Sequence, residues 1–300
     1  MSLLQQGRLD GDWYENVTQD KAFRRTESTF RNWITPDGSP GPTGEGGFPA
    51  APGRYHLYVS LACPWAHRTL IVRALKGLED VISVDIVNPH MGPEGWNFET
   101  VPGATGDRVN GKAFLHEIYT RADPDFTGIV TVPVLWDKHR RTIVNNESSE
   151  IIRMFNSAFE PWARRKVDLV PESLRAAIDE LNAVIYDDVN NGVYKAGFAR
   201  DQAAYEAAYD ALFARLDELD ARLASQRFLL GDTPTEADWR LFPTLVRFDP
   251  VYVAHFKCNR QRIADYPHLS GYLRDLYQWP GIADTVNLAH IKTHYFTSHP

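Results

Sequence analysis

A strand that runs into a cysteine, a proline and then a helix constrains this chain more than any other feature. Tyr55-His56-Leu57-Tyr58-Val59 reads as a buried strand, and Cys63-Pro64-Trp65-Ala66 opens a run in which Leu70, Ile71, Ala74, Leu75 and Leu78 recur at helical spacing. Cys63 therefore stands at a helix start. Pro64 suits the first helical turn, where its missing N–H would have had no partner. A cysteine in that place lies near free backbone N–H groups and the positive end of the helix dipole, and both favour the thiolate. In a C-x-x-C redox site a second cysteine resolves a mixed disulfide from within the chain. Here that position is Ala66, so an outside thiol must do it. The competing reading of Cys63 is a small buried hydrophobe, as most free cysteines are, but strand, Cys-Pro and amphipathic helix in that order weigh against it. The other cysteine, Cys258, sits in Phe256-Lys257-Cys258-Asn259 with nothing to activate it, and core packing is its default.

The 300 residues, 43% of them hydrophobic, are enough for one large or two ordinary domains with real cores. A net charge of -7 argues against a nucleic-acid surface, because phosphate binding needs clustered Lys and Arg, and the longest basic patch is Arg164-Arg165-Lys166. Two cysteines cannot make a disulfide framework. Met1 to Gln6 lack a charged region followed by an apolar core, and no apolar run approaches the length that spans a bilayer. These features predict a soluble chain in a reducing, cytoplasmic setting, without nucleic-acid or membrane partners.

Residues 1–53 become rich in Gly and Pro toward their end and read as an arm, with Phe30, Trp33 and Ile34 placed to pack on the domain that follows. From Tyr55 the order strand, helix, strand (81–87) suggests a βαβ unit with parallel strands. Residues 88–128 then lose any period, and so long an irregular insertion in a compact domain is functional or disordered; Trp96 and Phe98 favour function. Thr131 to Asp137 read as a strand whose Pro133 cannot donate to a ladder, which fits a strand end at a binding site with the cis form open to it. Residues 140–144 are its hairpin partner. The polar cluster Asn145-Asn146-Glu147-Ser148-Ser149-Glu150 precedes an apolar periodic run and marks a helix start, whose free N–H groups suit a carboxylate. From about residue 172 the pattern is helical throughout, including Leu181, Ile185, Val189, Leu212, Leu216 and Leu219. Thr235-Glu236-Ala237-Asp238 has capping-box spacing before the apolar helix of Trp239, Leu241 and Phe242.

These motifs together resemble the cytosolic glutathione transferases of the cysteine-dependent branch. With Trp96 in the insertion, residues 145–152, residues 191–199, residues 247–252 and Phe256-Lys257-Cys258-Asn259, the resemblance narrows to the glutathionyl-hydroquinone reductases, the Xi class, from about Gly11 onward. It implies an α/β plus all-α fold: an arm over 1–53, a thioredoxin-like glutathione-binding domain over 54–165 with the insertion 88–128, and an all-helical substrate domain over 172–300. It also implies a homodimer and glutathione as co-substrate. Cys63 is then the nucleophile, and Trp96, Val130, Thr131, Val132, Pro133, Glu147 and Ser148 hold glutathione. Tyr194 is the proton donor or acceptor, and Tyr252 and Tyr295 lower the pKa of Cys63. Family sequences usually continue beyond the equivalent of Pro300.

Alone, each motif is weaker. Thirteen tyrosines make any single one a packing residue by default, Glu147 and Ser148 can be an ordinary cap, and Trp96 an insertion anchor. His290 and His294 have the spacing of two helical metal ligands, but no nearby Cys or acidic residue completes a set, so no metal is expected. Two other functions share the motifs: a transferase or dehydroascorbate-type reductase using Cys63, and a noncatalytic binding module in which Cys63 is unreactive.

Overall fold

The computed structural model describes residues 1–10 and 22–299; the part of the arm over 11–21 lies outside the described residues. The chain divides into two compact units. The first contains residues 1–10, 26–167 and 284–299, and the second residues 22–25 and 168–283.

The first unit opens with β1 (Leu3–Gln5) and β2 (Arg8–Leu9). Its main sheet starts at β3 (Tyr55–Val59), a strand buried at every position. Helix α1 (Pro64–Lys76) follows, and β4 (Ser83–Ile86) returns parallel to β3. Gly77 ends α1 in the left-handed conformation at φ 65°, where a Cβ would come 2.8 Å from the Arg164 side chain. The insertion carries helix α2 (His116–Ala122), after which β5 (Gly128–Ile129) pairs with β1. Strand β6 (Val134–Asp137) lies antiparallel to β3, and β7 (Thr142–Asn145) antiparallel to β6, giving the order β4-β3-β6-β7. Residues 131–133 are not part of β6. The strand begins only after Pro133, which has no N–H to pair.

Helix α3 (Ser148–Ser157) leaves directly from β7 and packs on α1. Along the arm, Ile34 is buried, and Phe30 packs its ring on Phe126 at 5.5 Å and edge-on to Tyr119 at 5.7 Å. Trp33 is only half-buried and donates its indole N–H to Thr43 within the arm.

The second unit is helical among its described residues. Helix α4 (Arg175–Ile185) runs into a π-helical turn at Tyr186–Asn190, followed by α5 (Gly192–Gly197) and α6 (Gln202–Leu223). Helix α7 (Glu236–Arg247) runs into a second π turn at Phe248–Tyr252, and α8 (Leu269–Tyr277) closes the unit. Ile185, Val189, Leu212, Leu216, Leu241 and Phe242 are fully buried in this unit.

Periodicity alone groups the last helix, α9 (Leu288–Ser298), with the helical half over 172–300. It clusters instead with the first unit. The cause is the face it buries: the rings of His290 and His294 bond the Pro102 and Pro89 carbonyls of the insertion at 2.7 and 3.0 Å, and His294 stacks on Trp96.

The start of α7 is built on a buried carboxyl, Asp238, whose pKa burial pushes up against the hydrogen bonds it accepts. Asp238 Oδ2 accepts from the Thr235 N–H (2.7 Å) and the Thr235 hydroxyl (3.2 Å), while Oδ1 accepts from the Leu229 N–H (2.9 Å) and the Tyr272 hydroxyl (2.8 Å). This one side chain caps α7, fixes the preceding loop and ties α8 to both. Asp238→Ala removes the two oxygens that accept these four hydrogen bonds. We expect a loss of about 2–4 kcal/mol in stability, read as a lower midpoint in denaturant unfolding with unchanged slope.

Candidate active site

Cys63 caps α1 in an extended conformation (φ -75°, ψ 122°), and its carbonyl accepts from the His67 N–H at 3.0 Å. Pro64 is the first helical residue. The Ser60 carbonyl and hydroxyl bond the N–H groups of Cys63 and Ala62 at 3.2 Å, so the turn out of β3 fixes where the sulfur lies. Cys63 is half-buried, and its Sγ lies 3.7 Å from the Val132 carbonyl. That carbonyl belongs to the cis Val132–Pro133 peptide, so Cys63 and the strand-entry motif meet directly. Cys258 is different: fully buried, with its thiol pushed up to about 12 by burial, it is not a thiolate near neutrality.

Val130 and Thr131 precede this corner. The Val130 N–H donates to Ser2, while the Tyr119 hydroxyl donates to the Thr131 carbonyl at 2.9 Å and accepts from the Asn146 amide at 3.1 Å. Tyr119 is fully buried, and burial raises its pKa. It joins the segment beside Cys63 to the segment that starts α3. Nothing local in the sequence marks Tyr119 for this place, because both of its partners are distant in the chain.

Glu147 is the N-cap of α3. Its Oε1 accepts from the Ser149 N–H (3.0 Å) and hydroxyl (2.8 Å), and its Oε2 from the Ser28 hydroxyl (3.1 Å). Burial works to raise its pKa, but the Ser149 donors, the charge of Arg68 and the Ser28 hydroxyl together hold it below the usual glutamate range. Ser148 is buried, and its hydroxyl is 3.4 Å from the Arg68 guanidinium, itself buried and 4.6 Å over the Trp65 ring. Arg68 escapes sequence reading because α1 delivers its charge behind the start of α3 only once the two helices pack.

Trp96 is buried, and its indole N–H has no hydrogen-bond partner among the described residues. One face stacks on His294 at 4.7 Å, and His294 meets the buried ring of Tyr295 edge-on at 5.3 Å. The insertion and the last helix thus bring Trp96 and Tyr295 to one cluster. His294 was of interest in the sequence only for its spacing to His290; its place is as a spacer between these rings. Among the described residues no group of three or more His, Cys, Asp or Glu side chains could hold a metal ion.

Tyr194 and Tyr252 lie in the second unit, their rings 6.2 Å apart. Phe256 stacks on Tyr252 at 5.3 Å and meets Tyr194 edge-on, and the Arg25 guanidinium lies 5.0 Å over the Tyr194 ring. Tyr252 ends one π turn and Tyr194 follows the other. Such turns change side-chain phase along a helix and recur at functional sites, a signal that helical periodicity hides.

Two family models match the chain: the glutathione S-transferase N-terminal domain over residues 62–158 and the C-terminal domain over 202–275. The chain is 58% identical to the Escherichia coli glutathionyl-hydroquinone reductase YqjG over its whole length and 92% of that protein. It is 49% identical to the glutathionyl-hydroquinone reductase PcpF of Sphingobium chlorophenolicum, over its whole length and 93% of that protein. Among solved structures it resembles a Xi class glutathione transferase from Natrialba magadii, with a TM-score of 0.93 at 50% identity, covering all of this chain and 90% of the other. The thioredoxin-like first domain and the helical second domain are those of this fold. The chain belongs to the glutathione S-transferase family, among the glutathionyl-hydroquinone reductases of the Xi class.

Proposed function

We propose that this protein reduces glutathionyl-hydroquinones to hydroquinones through a Cys63–glutathione disulfide, releasing oxidised glutathione. The observation that carries the mechanism is Cys63 at the head of α1, facing the Val132 carbonyl, with Ala66 where a resolving cysteine would stand. Glutathione has two carboxylates, an ammonium and a peptide backbone. Ser148, at the head of α3, suits the γ-glutamyl carboxylate, and Glu147, held ionised, suits the ammonium. Val132, just before Pro133, offers backbone N–H and C=O to the cysteinyl part in the manner of strand addition. Trp96 covers the tripeptide and has an N–H to donate.

In the first half-reaction the Cys63 thiolate attacks the glutathionyl sulfur. An S–S bond forms, the sulfur–carbon bond breaks, and its electron pair leaves on the aromatic carbon as an enolate equivalent. Tyr194 protonates that carbon, giving the hydroquinone. In the second, a glutathione thiol yields its proton to the tyrosinate and attacks the mixed disulfide, releasing oxidised glutathione and the Cys63 thiolate. Two electrons pass from the two sulfurs to the aromatic carbon, with no other reductant. Tyr252 and Tyr295 are assigned, by family resemblance, to stabilising the thiolate. A cytoplasmic homodimer is part of the same proposal. No helix among the described residues is long and apolar enough to cross a membrane.

A dehydroascorbate-type reductase would also use Cys63, but it would leave Tyr194 idle. Cys63→Ser should lower glutathionyl-hydroquinone turnover by at least roughly 10³-fold with an unchanged melting temperature. Mass spectrometry after treatment with oxidised glutathione should find one adduct, on Cys63; an adduct on Cys258 alone would refute the assignment.

Tyr194→Phe should slow that turnover by about 10²-fold, yet leave reduction of a small glutathione mixed disulfide nearly intact, because a thiolate leaving group needs no proton on carbon. Tyr295→Phe should instead raise the Cys63 pKa in alkylation rates measured against pH. Equal losses for Tyr194→Phe on both substrates would remove its role as carbon acid.

The depressed Glu147 pKa has a definite sign. Its carboxylate stays charged as pH falls through the usual glutamate value near ~4.3, and its contribution disappears only below that. Glutathione affinity of the Cys63→Ser protein, measured by calorimetry, should therefore stay flat from neutrality to about pH 5. A fall in affinity centred above that window would contradict an ionised Glu147.

A further inference from the structure

We propose that Ser28, on the amino-terminal arm, is a positioning residue of the glutathione site: its hydroxyl fixes the Glu147 carboxylate that receives the γ-glutamyl ammonium. The inference rests on the reading of Glu147 as the ammonium acceptor and extends the site to a segment that lies outside the thioredoxin-like fold. Oε1 of Glu147 is committed to capping, since it takes both Ser149 donors. Oε2 is the oxygen left for a ligand, and the hydroxyl 3.1 Å from it belongs to Ser28. That hydroxyl also lies 3.3 Å from the Asn146 carbonyl. It has one proton, and the nearer, charged acceptor is the stronger of the two.

The arm is anchored to hold Ser28 there. The Phe30 N–H donates to Asn146 Oδ1 and the Asn146 N–H to the Phe30 carbonyl, both at 3.1 Å, and the Asn32 N–H donates to the Val144 carbonyl at 3.0 Å. Arg31 bridges antiparallel to Asn145, and its guanidinium pairs with the buried Glu150 in a two-point contact. The arm thus extends the edge of the sheet beyond β7, and Ser28 falls two residues before the Phe30 pair, over the turn into α3. A glutamate capped through one oxygen can still swing the other about its terminal torsion. A second hydrogen bond stops that rotation before glutathione arrives, and preorganisation of this kind acts on binding. Ser28 touches no reacting atom, so it affects the affinity for the γ-glutamyl end and not the sulfur chemistry.

The test compares two thiols as the second substrate of the full-length enzyme: glutathione, and glutaryl-cysteinylglycine, which lacks only the α-ammonium. The wild type should use glutathione at the lower KM. Ser28→Ala should raise the glutathione KM by about 3–10-fold, the size of one ordinary hydrogen bond, because the Ser28 bond acts on the ligand only through Glu147, with kcat within about twofold. The analogue's KM should not move. Ser28→Thr, which keeps the hydroxyl, should restore the wild-type KM, and Glu147→Gln should erase the preference between the thiols. Equal KM increases for both thiols in Ser28→Ala would make Ser28 a general structural residue and overturn the proposal. So would an unchanged glutathione KM in Ser28→Ala while Glu147→Gln still erases the preference, which would leave the Glu147 reading intact. A wild type that does not distinguish the thiols would overturn the Glu147 reading itself.

Discussion

The turn from β7 into α3 holds the first unit together. Asn145, Asn146 and Glu147 leave the sheet edge in succession, and each reaches a different part of the chain. Asn145 donates to the Asn32 carbonyl and to Glu150, Asn146 pairs with the backbone of Phe30 and donates to the Tyr119 hydroxyl, and Glu147 caps α3 and accepts from Ser28. Arm, insertion and helix therefore meet on three consecutive polar side chains. Buried polar groups are costly unless fully paired, so this junction tolerates one arrangement. Glu147 and Ser148, proposed to hold glutathione, stand on it, and Tyr119 extends it to the Thr131 carbonyl, two residues before Pro133.

Chemical consequences follow from what stands beside Cys63. A thioredoxin-like site with two cysteines closes its own disulfide and keeps its substrate general. Ala66 removes that route, so in the proposed reaction the mixed disulfide waits for a second glutathione. Burial separates the two cysteines: Cys258 is held as a thiol in the core, and Cys63 is left half-buried by the turn from β3.

The three tyrosines with proposed roles reach their places by different devices. Tyr194 and Tyr252 each adjoin a π turn, and both pack against Phe256. A regular helix would place the residues after each turn on another face. Tyr295 reaches the first unit by another device, the pairing of His290 and His294 with insertion carbonyls. Residues that look like a helical metal pair along the sequence thus serve to dock a helix.

Several features were legible in the sequence because they are local. Cys63-Pro64 at a helix start, the polar run before Ser148, the break at Pro133 and the capping box from Thr235 to Asp238 each depend on backbone rules acting over a few residues. Motif resemblance added the family and the roles proposed for the tyrosines. The remainder was settled by tertiary structure. The strand gave up Thr131 to Pro133, α9 joined the first unit, and Ser28, Arg68, Tyr119 and His294 took places around the candidate site. Their partners lie tens to hundreds of residues away. No local propensity encodes such a pairing; it exists only once helices, arm and insertion are packed and every buried donor must find an acceptor.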